Sequence, residues 1–167
     1  IPFELGIIRS HYVGRTFIEP SQTIRQFGVK LKHSVNRSCI EDKRVILIDD
    51  SIVRGTTASK IVKMVYEAGA KEVHLGISCP PIKHPDFYGI DTPNYNELIA
   101  SRSNIEEMTE LVGAKSLFFL SLDGTYRAMG YNERNKELPQ FTDHCFTGEY
   151  PIDISEILKI NSYNASR

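Results

Sequence analysis

Val45-Ile46-Leu47-Ile48 is a run of apolar β-formers that ends on two adjacent carboxylates, Asp49 and Asp50, and leads through a short Gly/Thr turn into a segment of helical periodicity. Ala58, Ile61, Val62, Val65 and Ala68 recur at helix spacing, and Gly69 stands where a left-handed C-terminal cap belongs. The pattern predicts a helix from about Thr57 to Ala68. Val73, Leu75 and Ile77 then alternate as a second strand, closing a strand–helix–strand unit whose two strands run parallel. The first of them is apolar throughout, the pattern of a central strand in a parallel sheet. The fold class expected is α/β, a parallel sheet flanked by helices.

The flanking segments extend this frame. Upstream, short β-like pieces lie on either side of Gly14 between Gly6 and Ile18. Ser21 caps a short helix, Thr23 to Phe27, stopped by Gly28, and Val29 to Leu31 makes a brief strand before the polar turn Glu41-Asp42-Lys43. Downstream, Ser78-Cys79-Pro80-Pro81-Ile82-Lys83-His84-Pro85 is a stiff loop on the same carboxyl edge as Asp49 and Asp50, followed by a short helix through Asn96 to Ala100. Asn104 and Glu107 form a capping-box pattern for a helix from Ile105 to Val112 closed by Gly113. Ser116 to Leu120 is expected as a buried strand, Asp123 to Met129 as a helix ending near Gly130, Asn132 to Gln140 as an exposed loop, and the tail as helical.

Composition narrows the class. With 167 residues, a net charge of −1 and 41% apolar residues, the chain suits one soluble domain with its own core. It points to neither a nucleic-acid nor a membrane surface, and it carries no transmembrane run or signal-peptide pattern. A cytoplasmic location is the default. Cys39, Cys79 and Cys145 are odd in number and scattered, so they read as reduced thiols without metal-site spacing. The histidines show no zinc or hydrolytic-triad spacing: His74 falls on a strand, His33 beside a turn, His84 between prolines and His144 beside Cys145. There is no internal repeat or second-domain boundary. The chain opens on Ile1-Pro2-Phe3 with a single good strand candidate ahead of Asp49, which predicts that an upstream piece of the sheet is missing.

Candidate chemistry gathers at the turn. Arg54-Gly55-Thr56-Thr57 places backbone N–H groups and two hydroxyls at a helix start, a cradle for a phosphate. Asp49 and Asp50 beside it make sense facing sugar hydroxyls or a magnesium ion carried by a diphosphate, with Asp50 read as half-buried in a partly structural role. Arg54 offers its N–H to the cradle, while its side chain either touches ligand or pairs with a neighbouring carboxylate. Arg9, His11 and Arg15 alternate to one side of an extended ribbon, as in a lid over an anionic substrate or a charged edge hairpin.

Residues 45–57 closely resemble the phosphoribosyl-diphosphate (PRPP) motif of type I phosphoribosyltransferases. Tyr12-Val13-Gly14-Arg15-Thr16-Phe17-Ile18 with Pro20 resembles the mobile active-site loop of the glutamine PRPP amidotransferase (amidophosphoribosyltransferase) family. The same family's hood is similar to Pro80-Pro81, Tyr88-Gly89-Ile90-Asp91 and Glu97-Leu98-Ile99-Ala100, and its tail to Phe146-Thr147-Gly148-Glu149-Tyr150-Pro151. The resemblance, running from Gly6 to Pro151, implies a single partial phosphoribosyltransferase domain over 1–167: lid about 6–20, PRPP motif 45–57, hood about 78–100, then the helical tail. It implies that Asp49, Asp50 and Arg15 are catalytic, that Tyr12, Gly14, Thr16, Ser51, Arg54, Gly55, Thr56 and Thr57 bind PRPP, and that Asp49 and Asp50 hold magnesium. The implied reaction adds ammonia, drawn from glutamine in the full enzyme, to C1 of PRPP in the first step of purine synthesis. Purine nucleotides as inhibitors and a homo-oligomer are further implications.

Two departures from the family qualify the expectation. The glutaminase domain with its N-terminal cysteine is absent, so the fragment is expected to lack glutaminase activity and to be impaired in transfer. Some members bind an iron–sulfur cluster, and Asp86 and Thr142 stand here at two of its cysteine positions, which leaves Cys145 alone; a cluster-free branch is expected. Two other readings are a non-catalytic nucleotide-binding regulatory module and a nucleobase salvage phosphoribosyltransferase.

Overall fold

The computed structural model describes residues 1–9, 33–90, 92 and 94–155. The lid residues Tyr12, Gly14, Arg15 and Thr16, the Thr23–Phe27 helix, the Val29–Leu31 strand and the end of the tail fall outside them. Strand β1 (Ile7–Arg9) pairs antiparallel with β2 (His33–Val35), and Ile7 and Val35 face each other across the ribbon and pack on the core. His33 is the first residue of β2. A single helical turn, α1 (Arg37–Ile40), buries Ile40.

The main sheet is three parallel strands in the order β3 (Arg44–Asp49), β4 (Glu72–Ile77) and β5 (Ser116–Phe119). Helix α2 (Thr56–Glu67) joins β3 to β4; the short α3 (Ile99–Arg102) and the longer α4 (Ile105–Val112) lie between β4 and β5. Ala58, Val62 and Val65 of α2 and Met108 and Val112 of α4 enter one core with Val73, Leu75, Ile77 and Leu117. At roughly 25 cal/mol per Å² of apolar surface, this covered face is the main stabilising layer.

The other face differs from expectation. Among the described residues β3 is an edge strand, and Ile46 (41% exposed), Ile48 (65%) and Phe118 (47%) are uncovered, so neither β3 nor β5 is buried on both sides. Side chains alternate across a strand, so a continuous apolar run puts Val45, Leu47 and Asp49 on the covered side and Ile46 and Ile48 on the bare one. Gly76 sits between Ile48 and Phe118 in register, and a Cβ there would lie 2.5 Å from the Phe118 ring. The missing side chain lets those two residues approach each other over β4.

Local signals are realised closely. Asn104 Oδ1 accepts from Glu107 N at 2.8 Å and Glu107 Oε2 from Asn104 N at 2.9 Å, a complete capping box. Asn104→Ala is expected to cost about 1 kcal/mol, a melting-temperature fall of roughly 2–4 °C in a thermal scan, and an unchanged midpoint would show the cap to be idle. Helix α5 (Leu122–Ala128) begins one residue earlier than expected because Ser121 caps it, accepting from Gly124 N. The helix expected over Asn96–Ala100 is broken: a 3-10 turn (Tyr95–Glu97) stops at Leu98, which is extended and fully buried, and α3 starts after it. Burial of Leu98 and a bond from Ile99 N to Val53 O override helix continuation.

Candidate functional site

Strand β3 delivers Asp49 and Asp50 to the carboxyl edge of the sheet, where ligands of parallel sheets collect. Asp49 lies opposite Ile77, the last residue of β4, and its carbonyl accepts from Ser78 N (3.0 Å) and Ser78 Oγ (3.1 Å). The hood loop is thereby rooted on the acidic pair. Asp49 Oδ1 accepts from Asp50 N at 3.0 Å, and Asp50 Oδ1 from the Ser51 hydroxyl at 2.9 Å. Asp49 is the half-buried member and Asp50 is exposed, which reverses the expectation for Asp50; period-two alternation places Asp49 with the inward set.

After the pair, Ile52 is buried and anchors the turn, and Gly55 takes a left-handed conformation (φ 79°) that a side chain would strain. Helix α2 starts at Thr56 with no side-chain cap, and the N–H groups of Gly55, Thr56 and Thr57 have no partner among the described residues. Thr56 and Thr57 are exposed. Three unpaired donors and two hydroxyls at the positive end of a twelve-residue helix are suited to an anion. The Arg54 side chain pairs with a carboxylate, Nε donating to Glu97 Oε2 at 2.6 Å.

The hood and tail are clasped together. Cys145 O accepts from Lys83 N and His84 N, Tyr150 OH donates to Pro85 O at 2.7 Å, and His144 Nε2 meets Asp86 Oδ2 at 2.8 Å with both side chains buried. Burial alone pushes the Asp86 carboxyl up, but bonds from Tyr88 N, Ile90 N and His144 outweigh it and hold the group below its usual range. The Cys79 thiol, near the root of the hood, is pushed up to about 11, first by burial and then by the charges of Asp50, Cys145 and Asp49. Burial and those charges favour the neutral thiol. The three cysteines are free.

Asn132–Gln140 is irregular as expected, yet Arg134 within it is buried against Asp143. Neither this pair, Asp86–His144 nor Arg54–Glu97 carries a sequence signal, because the partners lie 9, 58 and 43 residues apart with no periodic relation. Among the described residues no group of three or more His, Cys, Asp or Glu side chains converges on a metal position, and no helix is long and apolar enough to cross a membrane. Two adjacent carboxylates do fit magnesium, which binds through one or two carboxylates when substrate phosphates complete its shell.

A parallel sheet flanked by helices, with an acidic pair running into a Gly/Thr turn at its carboxyl edge, defines a type I phosphoribosyltransferase-like α/β fold. No protein-family model matches the chain. It is 64% identical over 152 residues to amidophosphoribosyltransferase of Rhizobium etli, covering 90% of this chain and 31% of that protein. It is 53% identical over 154 residues to the Bacillus subtilis amidophosphoribosyltransferase, covering 92% and 32%. The solved B. subtilis glutamine PRPP amidotransferase, complexed with ADP and GMP, superposes with a TM-score of 0.79 at 52% identity over 93% of this chain and 34% of that one. The chain is a close homologue of the amidophosphoribosyltransferase family and spans about a third of the length of the curated relatives it matches.

Proposed function

We propose that this chain is the PRPP-binding and hood portion, over 1–167, of an amidophosphoribosyltransferase: it binds PRPP with magnesium and adds ammonia at C1, releasing pyrophosphate and giving 5-phosphoribosylamine. The carrying observation is the joining of Asp49 and Asp50 to a turn with three N–H groups that have no partner among the described residues, in a chain this similar to enzymes of that name. Gly55, Thr56 and Thr57, with Ser51 and the Arg54 N–H, take the 5-phosphate. Asp49 and Asp50 take the ribose hydroxyls and magnesium, and their charge stabilises the positive ring formed as pyrophosphate departs. Magnesium supplies leaving-group stabilisation when bound. Arg15, with Tyr12, Gly14 and Thr16, closes over the diphosphate and excludes the water that would hydrolyse C1.

The wider reading is the one the family resemblance implies: ammonia from glutamine in the full enzyme, purine nucleotides as inhibitors and a homo-oligomer, with the cytoplasm as the default for a chain with free thiols; a relative solved with ADP and GMP supports a nucleotide partner. Three donors already occupy the Asp86 carboxylate, which supports the cluster-free reading. Calorimetric titration of PRPP into the chain tests the assignment. Saturable binding that needs magnesium is expected, with slow turnover by ammonia, as befits an impaired fragment, and none by free nucleobases. Absence of binding overturns it, and turnover with a base would make the chain a salvage enzyme.

A further inference from the structure

The turn that carries the candidate phosphate site is shaped from outside its own sequence. Gly55 caps α2 without a side-chain bond, so local capping does not fix how Gly55, Thr56 and Thr57 present their N–H groups. The described contacts that reach this turn from elsewhere come largely from one short segment. Ile99 N donates to Val53 O at 3.0 Å, Glu97 Oε2 accepts from Arg54 Nε at 2.6 Å, and Ile99 Cδ1 lies 2.9 Å from where a Gly55 Cβ would stand. Three successive residues of the turn, Val53, Arg54 and Gly55, are each met by residue 97 or 99.

That segment is itself held firmly. Leu98, between the two contacting residues, is fully buried; Asn94 Oδ1 accepts from Asn96 N; and the Ser101 hydroxyl lies within hydrogen-bond reach of both Tyr95 O and Leu98 O. Glu97 therefore presents its carboxylate to Arg54 from a backbone held by these contacts. Both side chains are about half exposed (48% and 47%), so the pair adds little to global stability. Its effect is local, on the conformation of the turn it grips.

We propose that Glu97 is a positioning residue for the phosphate-binding turn: by holding Arg54, together with the Ile99–Val53 bond, it sets the turn in the shape that aims the Gly55, Thr56 and Thr57 N–H groups at one anion. The brace is read from contacts in the chain; its link to PRPP rests on the function proposed above. With the pair engaged, Arg54 Nε is held by Glu97 Oε2, and the backbone donors and threonine hydroxyls of the turn take the phosphate.

The test compares the chain with Glu97→Ala, Glu97→Gln and Glu97→Asp. Amide exchange is followed at Ile99 and Ser59, whose N–H groups bond Val53 O and Gly55 O, and PRPP affinity is measured with magnesium. Glu97→Ala is expected to speed exchange at both amides and to weaken PRPP binding, each about threefold to fivefold, with sheet amides and melting temperature unchanged. Glu97→Gln should fall between, and Glu97→Asp, which keeps the carboxylate, should retain most of both the amide protection and the affinity. Unchanged exchange at Ile99 in Glu97→Ala overturns the proposal. So does faster exchange with undiminished PRPP affinity, or a Glu97→Asp variant as impaired as Glu97→Ala in both. A wild-type chain that does not bind PRPP overturns the proposed function instead, and the exchange arm still decides whether Glu97 shapes the turn.

Discussion

Asp143→Ala is expected to lower the unfolding free energy by about 3 kcal/mol, the low end of the 3–5 kcal/mol range for removing one partner of a buried ion pair. In a chain of this size that is a fall of roughly 6–12 °C in melting temperature. Arg134 and Asp143 are only 8% and 6% exposed at their side chains, and Arg134 Nε donates to Asp143 Oδ2 at 2.6 Å. The same carboxylate accepts from the buried Tyr126 hydroxyl at 2.7 Å and from Thr147 Oγ1 at 3.2 Å. Truncation would strand a guanidinium and a phenol in the interior. Glu149, 61% exposed, still pairs with Arg134, which is why the low end applies. A loss under about 1 kcal/mol in a urea titration would show that the site admits water or refills.

The same group sets an acid limit. Burial by itself pushes the Asp143 carboxyl up, but bonds from Arg134 and Tyr126, the Arg134 charge and the Thr147 hydroxyl outweigh it and hold the group below its ordinary range. A carboxyl whose folded pKa is depressed contributes stability that is complete above its unfolded value, near 4, and is lost as pH falls through the folded value. Asp86, also depressed, adds in the same direction. The wild-type chain should therefore lose stability below about pH 4, and Asp143→Asn should show a shallower acid loss. Asp143 precedes His144, the residue that meets Asp86, so this loss also loosens the clasp on the hood.

Signals confined to a few neighbouring residues were legible. The capping box at Asn104 and Glu107, the glycine stop at Gly69 and the strand–turn–helix through Asp49 and Gly55 each depend on local backbone geometry that residue type dictates. The break at Leu98 was not, because an apolar residue at helix spacing gives no hint that its burial outranks the next helical bond. The bare side of β3 was hidden for a related reason: an apolar run is the same string whether one face is covered or two. Arg134 sits in a charged, apolar-poor stretch that reads as solvated, and only its distant partners draw it inside. Glu97 was legible as part of a family-like run, yet its grip on Arg54 was not.

Asp49→Asn/Asp50→Asn is expected to weaken magnesium-dependent PRPP binding at least about 100-fold, since each lost charge-assisted contact is worth about 1.5–3 kcal/mol and tenfold corresponds to about 1.4 kcal/mol. The fold should barely respond. Asp50 is exposed, asparagine matches aspartate in shape, and its oxygen accepts from Asp50 N and from the Ser51 hydroxyl as the carboxylates do. The Asp49 carbonyl, which roots Ser78 and the hood, is untouched by the change. Binding and stability thus separate in this variant where in Asp143→Ala they fall together. Calorimetric titration beside a thermal melt reads both. A double variant that melts like the wild type and binds PRPP within a few-fold of it would mean that the acidic pair does not face the ligand, and the turn at Gly55–Thr57 would then be binding phosphate without the ribose and magnesium contacts proposed for Asp49 and Asp50.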